Sequence, residues 1–135
     1  MSMRRPAFVS FLFATLALSS PSLAQVTDAK RASYRAAFEE TLRQPDNAEV
    51  LLKYAQAAAT AEDYEGAITA YERFLVIDAD QPRVKFELGV LYYKLKSYDA
   101  ARTYFEQART SGKTSKEVAE RSSEFIRDID RRWGT

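Results

Sequence analysis

Residues 82–108, PRVKFELGVLYYKLKSYDAARTYFEQA, repeat the pattern of residues 48–74, AEVLLKYAQAAATAEDYEGAITAYERF, position for position. Four features keep their place in both copies: a pair whose second residue is small, a tyrosine, an alanine and an aromatic ring. The aligned pairs are Leu88-Gly89 with Tyr54-Ala55, Tyr98 with Tyr64, Ala101 with Ala67, and Phe105 with Tyr71. Each copy predicts two short helices joined by a tight turn.

The small residues are placed where the two helices of one hairpin cross. Gly89 and Ala101 allow close approach in the second copy, and Ala55 and Ala67 do so in the first. Large side chains on both sides of the crossing then fill the remaining space. A hairpin this short cannot bury its apolar faces alone, so the two copies are expected to stack against each other.

A repeat period of about 34 residues with these features resembles the tetratricopeptide repeat (TPR). The resemblance implies an all-α fold, a solenoid of helix hairpins with two full repeats, one N-terminal half-repeat helix and one C-terminal capping helix. The predicted segments are the half-repeat helix at 25–47, TPR 1 at 48–81, TPR 2 at 82–115 and the capping helix at 116–135. The half-repeat is suggested by residues 38–42, FEETL, which echo residues 71–75, YERFL, one position short of the full period.

Helix starts are predicted from capping residues. Thr27 or Asp28 is expected to open the first helix, and Asn47, Asp63 and Asp80 the next three. The segment Thr114-x-x-Glu117 has the form of a capping box for the last helix.

The two repeats differ at two positions that face the same interior. Repeat one has Phe74 where repeat two has Ala108, and Ala58 where repeat two has Tyr92. We predict that Phe74 fills the space that a tyrosine at position 58 would otherwise occupy.

Composition removes several classes of chemistry. The 135 residues include no His and no Cys, which excludes the usual zinc and transition-metal ligands, Ser-His-Asp and Cys-His catalysis, and disulfides. Lys and Arg number 20 against 19 Asp and Glu, so the charge does not indicate a nucleic-acid partner. We predict a protein without a cofactor, a metal or an enzymatic activity.

Two charged groups allow a second interpretation. Asp78 and Asp80 could form a metal or acid–base pair, but their position between helices favours a linker and a cap. Arg127, Arg131 and Arg132 could contact phosphates, but the mixed charges of their helix favour a solvated face.

The N-terminus carries the three parts of a secretory signal peptide: a positive start, a short apolar stretch and a small-residue exit. In order, they are Arg4 and Arg5, residues 7–18 with the sequence AFVSFLFATLAL, and Ser22-Leu23-Ala24. This pattern predicts that residues 1–24 are removed by cleavage after Ala24 and that the mature chain is periplasmic. An uncleaved N-terminal anchor is the alternative, although the apolar stretch is shorter than the roughly 20 residues of a membrane span.

The TPR resemblance also implies a concave groove lined by the first helix of each hairpin. Carried over by position, the groove residues are Glu49, Leu52, Gln56, Ala59, Thr60, Arg83, Phe86, Val90, Tyr93 and Lys94. The family's best-known mode clamps a carboxylate with Lys, Arg and Asn, but the matching positions here are Leu52, Gln56, Phe86 and Val90. The expected ligand is therefore an extended or helical apolar segment of a protein. The alternative is that a neighbouring helix covers Phe86, Val90 and Tyr93 and that Leu52 packs on the N-terminal helix.

Three stretches are similar to the N-terminal periplasmic region of outer-membrane proteins of the surface lipoprotein assembly modifier type. They are residues 38–42, FEETL, residues 81–93, QPRVKFELGVLYY, and residues 129–132, IDRR. In that family a short TPR domain precedes a large β-barrel. Since no alternating strand pattern follows the repeats, we expect a stand-alone relative or a truncated product.

These observations predict a non-catalytic periplasmic TPR adaptor that binds a protein or peptide segment, possible contexts being envelope assembly or export. The first alternative is a recognition domain detached from an outer-membrane barrel. Two further hypotheses are an enzyme that uses carboxylates alone and a self-associating module that uses Phe86 and Tyr93. The sequence leaves the partner and the oligomeric state open.

Overall fold

Six α-helices make up the fold of residue 20 and residues 22–134, which the computed structural model describes. They are α1 Leu23–Arg43, α2 Ala48–Thr60, α3 Tyr64–Ile77, α4 Pro82–Lys94, α5 Tyr98–Thr110 and α6 Lys116–Trp133. No strand occurs in this part of the chain, and each helix packs against the next one in sequence. The predicted all-α solenoid is confirmed, with hairpins α2–α3 and α4–α5 flanked by one helix at each end.

The start of α1 differs from the prediction. Ser22 is the N-cap, and its hydroxyl accepts a hydrogen bond from the backbone N–H of Gln25 at 3.3 Å. The Gln25 side chain in turn accepts one from the Ser22 N–H at 3.0 Å, which completes a capping box. The helix therefore begins more than a turn before Thr27. Most of the predicted signal peptide, residues 1–19 and 21, lies outside the described residues.

Two of the predicted caps are confirmed in the first hairpin. The side chain of Asn47 accepts hydrogen bonds from the N–H groups of Glu49 and Val50, and α2 follows it directly. The Asp63 side chain accepts from the Gly66 N–H at 3.0 Å and starts α3. These bonds satisfy backbone donors that the first helical turn leaves without partners.

Two other caps were predicted one residue too early. Gln81, not Asp80, occupies the N-cap of α4, where it makes no side-chain cap bond, and Pro82 follows in the first turn. A proline there removes one of the donors that would need a cap. At α6, the Ser115 hydroxyl accepts from the Val118 N–H at 3.2 Å, so Ser115 and not Thr114 is the cap.

Both hairpins use the same tight turn. Glu62 and Lys96, which occupy equivalent positions in the two repeats, adopt left-handed φ angles of 64° and 61°. The next N–H in each turn reaches back to the end of the first helix, from Asp63 to the Ala58 carbonyl and from Ser97 to the Tyr92 carbonyl, both at 2.9 Å. The repeat is therefore conserved in backbone geometry as well as in side-chain pattern.

The helix crossing in the second hairpin is tighter than a side chain at position 89 would allow. A Cβ built on Gly89 would lie 2.7 Å from two ring atoms of Phe105, well inside van der Waals contact. Ala101, on the partner helix, is fully buried. In the first hairpin the corresponding Ala55 and Ala67 are also fully buried. The predicted role of small residues at the crossings is confirmed.

The buried side chains form two clusters that meet in α4. The first cluster joins α2, α3 and one side of α4 through Val84, Leu88 and Leu91. The second joins the other side of α4, through Phe86, to α5 and α6. Ala58 and Phe74 both belong to the first cluster, as the prediction that they share one space requires.

Candidate functional site

A cleft of about 450 Å³ lies between α2 and α4, with α3 beneath it. We call it the α2–α4 cleft. Side chains from all three helices and from the α3–α4 linker surround it. Its lining residues are Leu52, Gln56, Ala59, Thr60, Tyr71, Phe74, Gln81, Arg83, Val84 and Glu87.

The cleft has an apolar floor and a polar rim. Tyr71, Phe74 and Val84 form the floor and are 3%, 8% and 5% exposed. Gln56 and Thr60 stand exposed at the α2 side of the rim. An apolar side chain entering this cleft would therefore leave water, while polar groups beside it could remain hydrated.

The charges at the α4 side of the cleft are already paired. The Arg83 guanidinium donates from Nε to the Glu87 carboxylate at 3.0 Å, and its Nη1 lies 3.7 Å from Glu117 Oε1 at the start of α6. Burial raises the pKa of Tyr71 to about 12, with a further increase from Glu87 and an opposing effect of Arg83. The Tyr71 hydroxyl therefore keeps its proton throughout the neutral range.

Five of the predicted groove residues meet in this cleft. They are Leu52, Gln56, Ala59, Thr60 and Arg83. Glu49 does not join them, because it lies in a separate groove of about 500 Å³ between α1 and α2. The packing of Leu52 is only partial, so its side chain remains accessible from the cleft.

Phe86 does not line an open surface. It is 1% exposed, and its ring centroid lies 5.6 Å from that of Phe105 and 6.0 Å from that of Phe125 on α6. The Arg121 guanidinium of α6 lies 4.8 Å from the centre of the Phe86 ring. In this structure, α6 thus covers the wall that Phe86 was expected to present, which is the alternative left open by the sequence.

The remaining groove residues of α4 are also engaged with their neighbours. The Tyr93 hydroxyl donates a hydrogen bond to the Asp128 carboxylate of α6, which raises the pKa of Tyr93 and lowers that of Asp128. Val90 is half-buried against the second core cluster, the one that joins Phe86 to α5 and α6. Lys94 is exposed, with its Nζ 5.1 Å from the centre of the Tyr64 ring.

The sequence prediction missed half of the residues that line the cleft, because it used only the groove positions that the TPR family has on the first helix of each repeat. Tyr71 and Phe74 come from the second helix of repeat one, and Gln81 comes from the linker. Val84 and Glu87 lie on α4, beside the positions that the family pattern selects. One signal in the sequence could have indicated the second helix, since repeat one has a tyrosine at 71 where repeat two has Phe105.

Four of the five acidic and basic residues considered for other chemistry have local partners within residues 22–134, Arg127 being the exception. Asp78 accepts from the Gln81 side chain at 2.7 Å, and Asp80 pairs with Lys113 at 3.1 Å. Arg131 and Arg132 both bond to Asp128. Among the residues that the structure describes, no cluster of three acidic side chains could hold a metal ion.

No helix within residues 22–134 is both long enough and apolar enough to span a bilayer.

Two tetratricopeptide-repeat family models match the chain, one over residues 27–82 and the other over residues 58–120. The two matches overlap and together include α2, α3, α4 and α5. Tetratricopeptide repeats are therefore detected within residues 27–120. A comparison with curated proteins finds no match.

Several solved structures share this fold. The type III secretion translocator chaperone SycD of Yersinia enterocolitica is 17% identical with a TM-score of 0.67, covering 87% of this chain and 90% of SycD. PcrH of Pseudomonas aeruginosa, in complex with the chaperone binding region of PopD, is 19% identical with a TM-score of 0.64, covering 85% and 98%. A type III secretion complex from Aeromonas hydrophila is 16% identical with a TM-score of 0.59, covering 83% and 90%. At these identities the similarity shows the fold alone.

Proposed function

We propose that this protein is a non-catalytic TPR adaptor that holds a segment of a partner protein in the α2–α4 cleft. The observation that carries this proposal is the form of the cleft, an apolar floor beneath a polar rim, on the wall that α6 leaves uncovered. Such a cleft suits a segment with one apolar side chain pointing inward and a hydrated backbone.

The structural neighbours support a peptide partner. PcrH is described in complex with the chaperone binding regions of PopD and PopB, and SycD with a peptide of the translocator YopD. The chemistry of the cleft also favours binding over catalysis. Its one carboxylate, Glu87, is bonded to Arg83, and no second carboxylate lines it.

The proposal can be tested with peptides displayed on phage. A library of random dodecapeptides is selected on the protein, and the strongest binder is synthesised with a fluorescent label for anisotropy titration. Leu52→Glu places a charge on the cleft wall and is expected to weaken binding at least tenfold. Val76→Glu is the matched control, because Val76 is 87% exposed on α3 and does not line the cleft.

Circular dichroism of both variants confirms that they remain helical. A selection that yields no binder, or a binder that Leu52→Glu does not weaken, would count against the cleft as the binding site. Equal losses for Leu52→Glu and Val76→Glu would indicate a nonspecific effect of charge.

We further propose that the protein acts in the periplasm, in the assembly or export of envelope components. The support is the signal-peptide pattern of residues 1–24. Fractionation of cells that express the full chain, followed by N-terminal sequencing, tests this. Recovery from the periplasm with Gln25 as the first residue is expected, and this cleavage would remove Ser22 and with it the capping box of α1. Retention of an intact N-terminus in the cytoplasm would contradict the proposal.

A recognition domain of an outer-membrane barrel protein is the second candidate. Its support is the resemblance that we infer from residues 38–42, 81–93 and 129–132 to the surface lipoprotein assembly modifier type. Sequencing the gene beyond codon 135 distinguishes the two. A stop codon with no barrel reading frame downstream would rule this candidate out.

A further inference from the structure

The half-repeat helix α1 and the second helices of the two repeats, α3 and α5, carry an aromatic residue at one shared position. Phe38 in α1, Tyr71 in α3 and Phe105 in α5 occupy the same place in the repeat pattern. Phe105 is fully buried beneath α6, with its ring stacked 4.6 Å from that of Phe125. The packing of a repeat therefore needs the ring at this position and not a hydroxyl.

The Tyr71 hydroxyl is an extra polar group at the base of the α2–α4 cleft. Tyr71 is 3% exposed, and its hydroxyl makes no hydrogen bond to residue 20 or to residues 22–134. In the same part of the chain, the only side-chain polar atom that is fully sealed from solvent without a partner is Ser122 Oγ. The Tyr71 hydroxyl therefore still reaches the cleft that it lines.

Across the described residues, four half-buried tyrosines donate their hydroxyls to carboxylates, while Tyr54, Tyr64 and Tyr98, also half-buried, do not. The pairs are Tyr34 with Asp63, Tyr92 with Glu72, Tyr93 with Asp128 and Tyr104 with Glu72. Tyr71 differs from them because its hydroxyl bonds to no carboxylate in this part of the chain, and Glu87, the carboxylate that lines the cleft, is bonded to Arg83. Because this hydroxyl reaches the cleft and has no protein acceptor within residues 22–134, it is available to a ligand, and a hydrogen bond to a ligand acceptor would contribute to binding.

We propose that Tyr71 Oη donates a hydrogen bond to a backbone carbonyl of the bound segment and so fixes the register of that segment in the cleft. This inference rests on the proposed function. A carboxylate acceptor is disfavoured because Arg83, the cation that lines the cleft, is already bonded to Glu87. A helical segment already uses its internal carbonyls, so the ligand bound here is an extended segment with an apolar side chain over Phe74 and Val84.

The test compares two variants that each remove one hydroxyl. Tyr71→Phe removes the hydroxyl in the cleft, and Tyr104→Phe removes one that bonds to Glu72, outside the cleft lining. Both are titrated with the labelled peptide selected on the unmodified protein. Tyr71→Phe is expected to weaken binding about 2- to 12-fold, the value of one hydrogen bond, and Tyr104→Phe to leave it unchanged.

A second measurement separates binding from folding. Because the Tyr71 hydroxyl has no partner in the free protein, Tyr71→Phe is expected to leave the melting temperature unchanged or to raise it. A lower melting temperature would show that the hydroxyl stabilises the fold, and this would overturn the proposal.

Replacing single amides of the peptide by esters locates the acceptor, since an ester carbonyl is the weaker acceptor. One replacement should weaken binding to the unmodified protein and have no effect with Tyr71→Phe. If Leu52→Glu abolishes binding while Tyr71→Phe does not change it, the Tyr71 assignment is wrong and the proposed function stands. If Leu52→Glu has no effect, both are wrong.

Discussion

The two repeats share one skeleton and differ in what lies against their concave side. In repeat one the wall formed by α2 is open, and Leu52 and Ala59 face the α2–α4 cleft. In repeat two the equivalent residues, Phe86 and Tyr93, contact α6 through Phe125 and Asp128. Positions that are equivalent in sequence therefore form an open cleft wall in one repeat and an interior contact in the other.

The difference originates both in the residue at the equivalent position and in the helix that lies opposite it. Phe86 is large enough to reach the α6 ring of Phe125, while Leu52 is shorter and has α4 at the far side of a cleft. The last helix of a solenoid buries the face of the repeat before it. Surface available for a partner consequently remains between the two repeats and not beneath the cap.

The largest expected effect separates the interior position from the open wall. Phe86→Ala removes a ring that is 1% exposed and is expected to lower the free energy of unfolding by about 3–5 kcal/mol. Leu52→Ala, at the equivalent and partly exposed position, should cost only about 1 kcal/mol. Urea unfolding followed by circular dichroism measures both values.

Equal losses for Phe86→Ala and Leu52→Ala would mean that α6 does not seal the second repeat in solution. In that case the concave wall of repeat two would be accessible, and Phe86 would return as a groove residue.

The second prediction concerns the two helix crossings. Gly89→Ala forces a Cβ against the Phe105 ring at 2.7 Å, and the stacked Phe125 ring limits how far Phe105 can move. Overpacking of about 1–3 kcal/mol should exceed the gain of about 1 kcal/mol in helix propensity, giving a net loss of stability. In the opposite direction, Ala55→Gly should cost about 1 kcal/mol through helix propensity and roughly a further 0.8 kcal/mol through the lost burial of its methyl group.

A background substitution checks the cause of that loss. In a protein with Phe105→Leu, the clash at position 89 is reduced, and Gly89→Ala should become neutral or stabilising. If Gly89→Ala is equally destabilising in both backgrounds, the Phe105 ring is not what requires glycine.

Most of the fold could be predicted because it depends on spacing. The repeat period, the small residues at the crossings and the caps at Asn47 and Asp63 follow from local rules. The caps at Asp80 and Thr114 were misplaced for two different local reasons. Gln81 precedes a proline that needs no cap, and Ser115 offers the same hydroxyl as Thr114.

The candidate site could be predicted only in part because its openness depends on helices from different repeats. The TPR pattern assigns Leu52 and Phe86 to one groove. It does not predict that α6 lies close enough to α4 to cover Phe86. The TPR pattern does not select Tyr71 as a groove residue, because a residue of the second helix reaches a cleft only where the neighbouring repeat leaves a gap. The sequence did contain the contrast between Tyr71 and Phe105, and this contrast now carries the inference about the ligand.

The third prediction uses acid to weaken the contact that closes repeat two. The hydrogen bond from Tyr93 holds the pKa of Asp128 below its ordinary value of 3.8. A lowered pKa in the folded state means that the stabilisation is complete above this ordinary value and is lost as the pH falls through the lowered pKa. The difference in melting temperature between the unmodified protein and Asp128→Asn should therefore shrink at acidic pH.

Tyr93→Phe should show the same trend, because it removes the other half of the contact. Repeat one has Ala59 at the equivalent position and offers no such group. If the difference in melting temperature between the variant and the unmodified protein stays constant as the pH is lowered through the pKa of Asp128, then Asp128 contributes through packing and not through its charge.

The smallest expected effect tests whether the two hairpin turns are equivalent. Glu62 and Lys96 are exposed and hold left-handed φ angles of 64° and 61°, which cost a residue with a Cβ more than they cost glycine. Glu62→Gly and Lys96→Gly should each relieve this strain and lose part of the gain to the greater chain entropy of glycine in the unfolded state. The net stabilisation expected is about 0.5 kcal/mol for each.

Lys96→Ala is the control, since it removes the side chain and keeps the strained angle, and it should leave the melting temperature unchanged. A gain at position 96 without one at 62 would show that the turn of repeat one relaxes in solution, where the open cleft leaves its hairpin less constrained than the capped one.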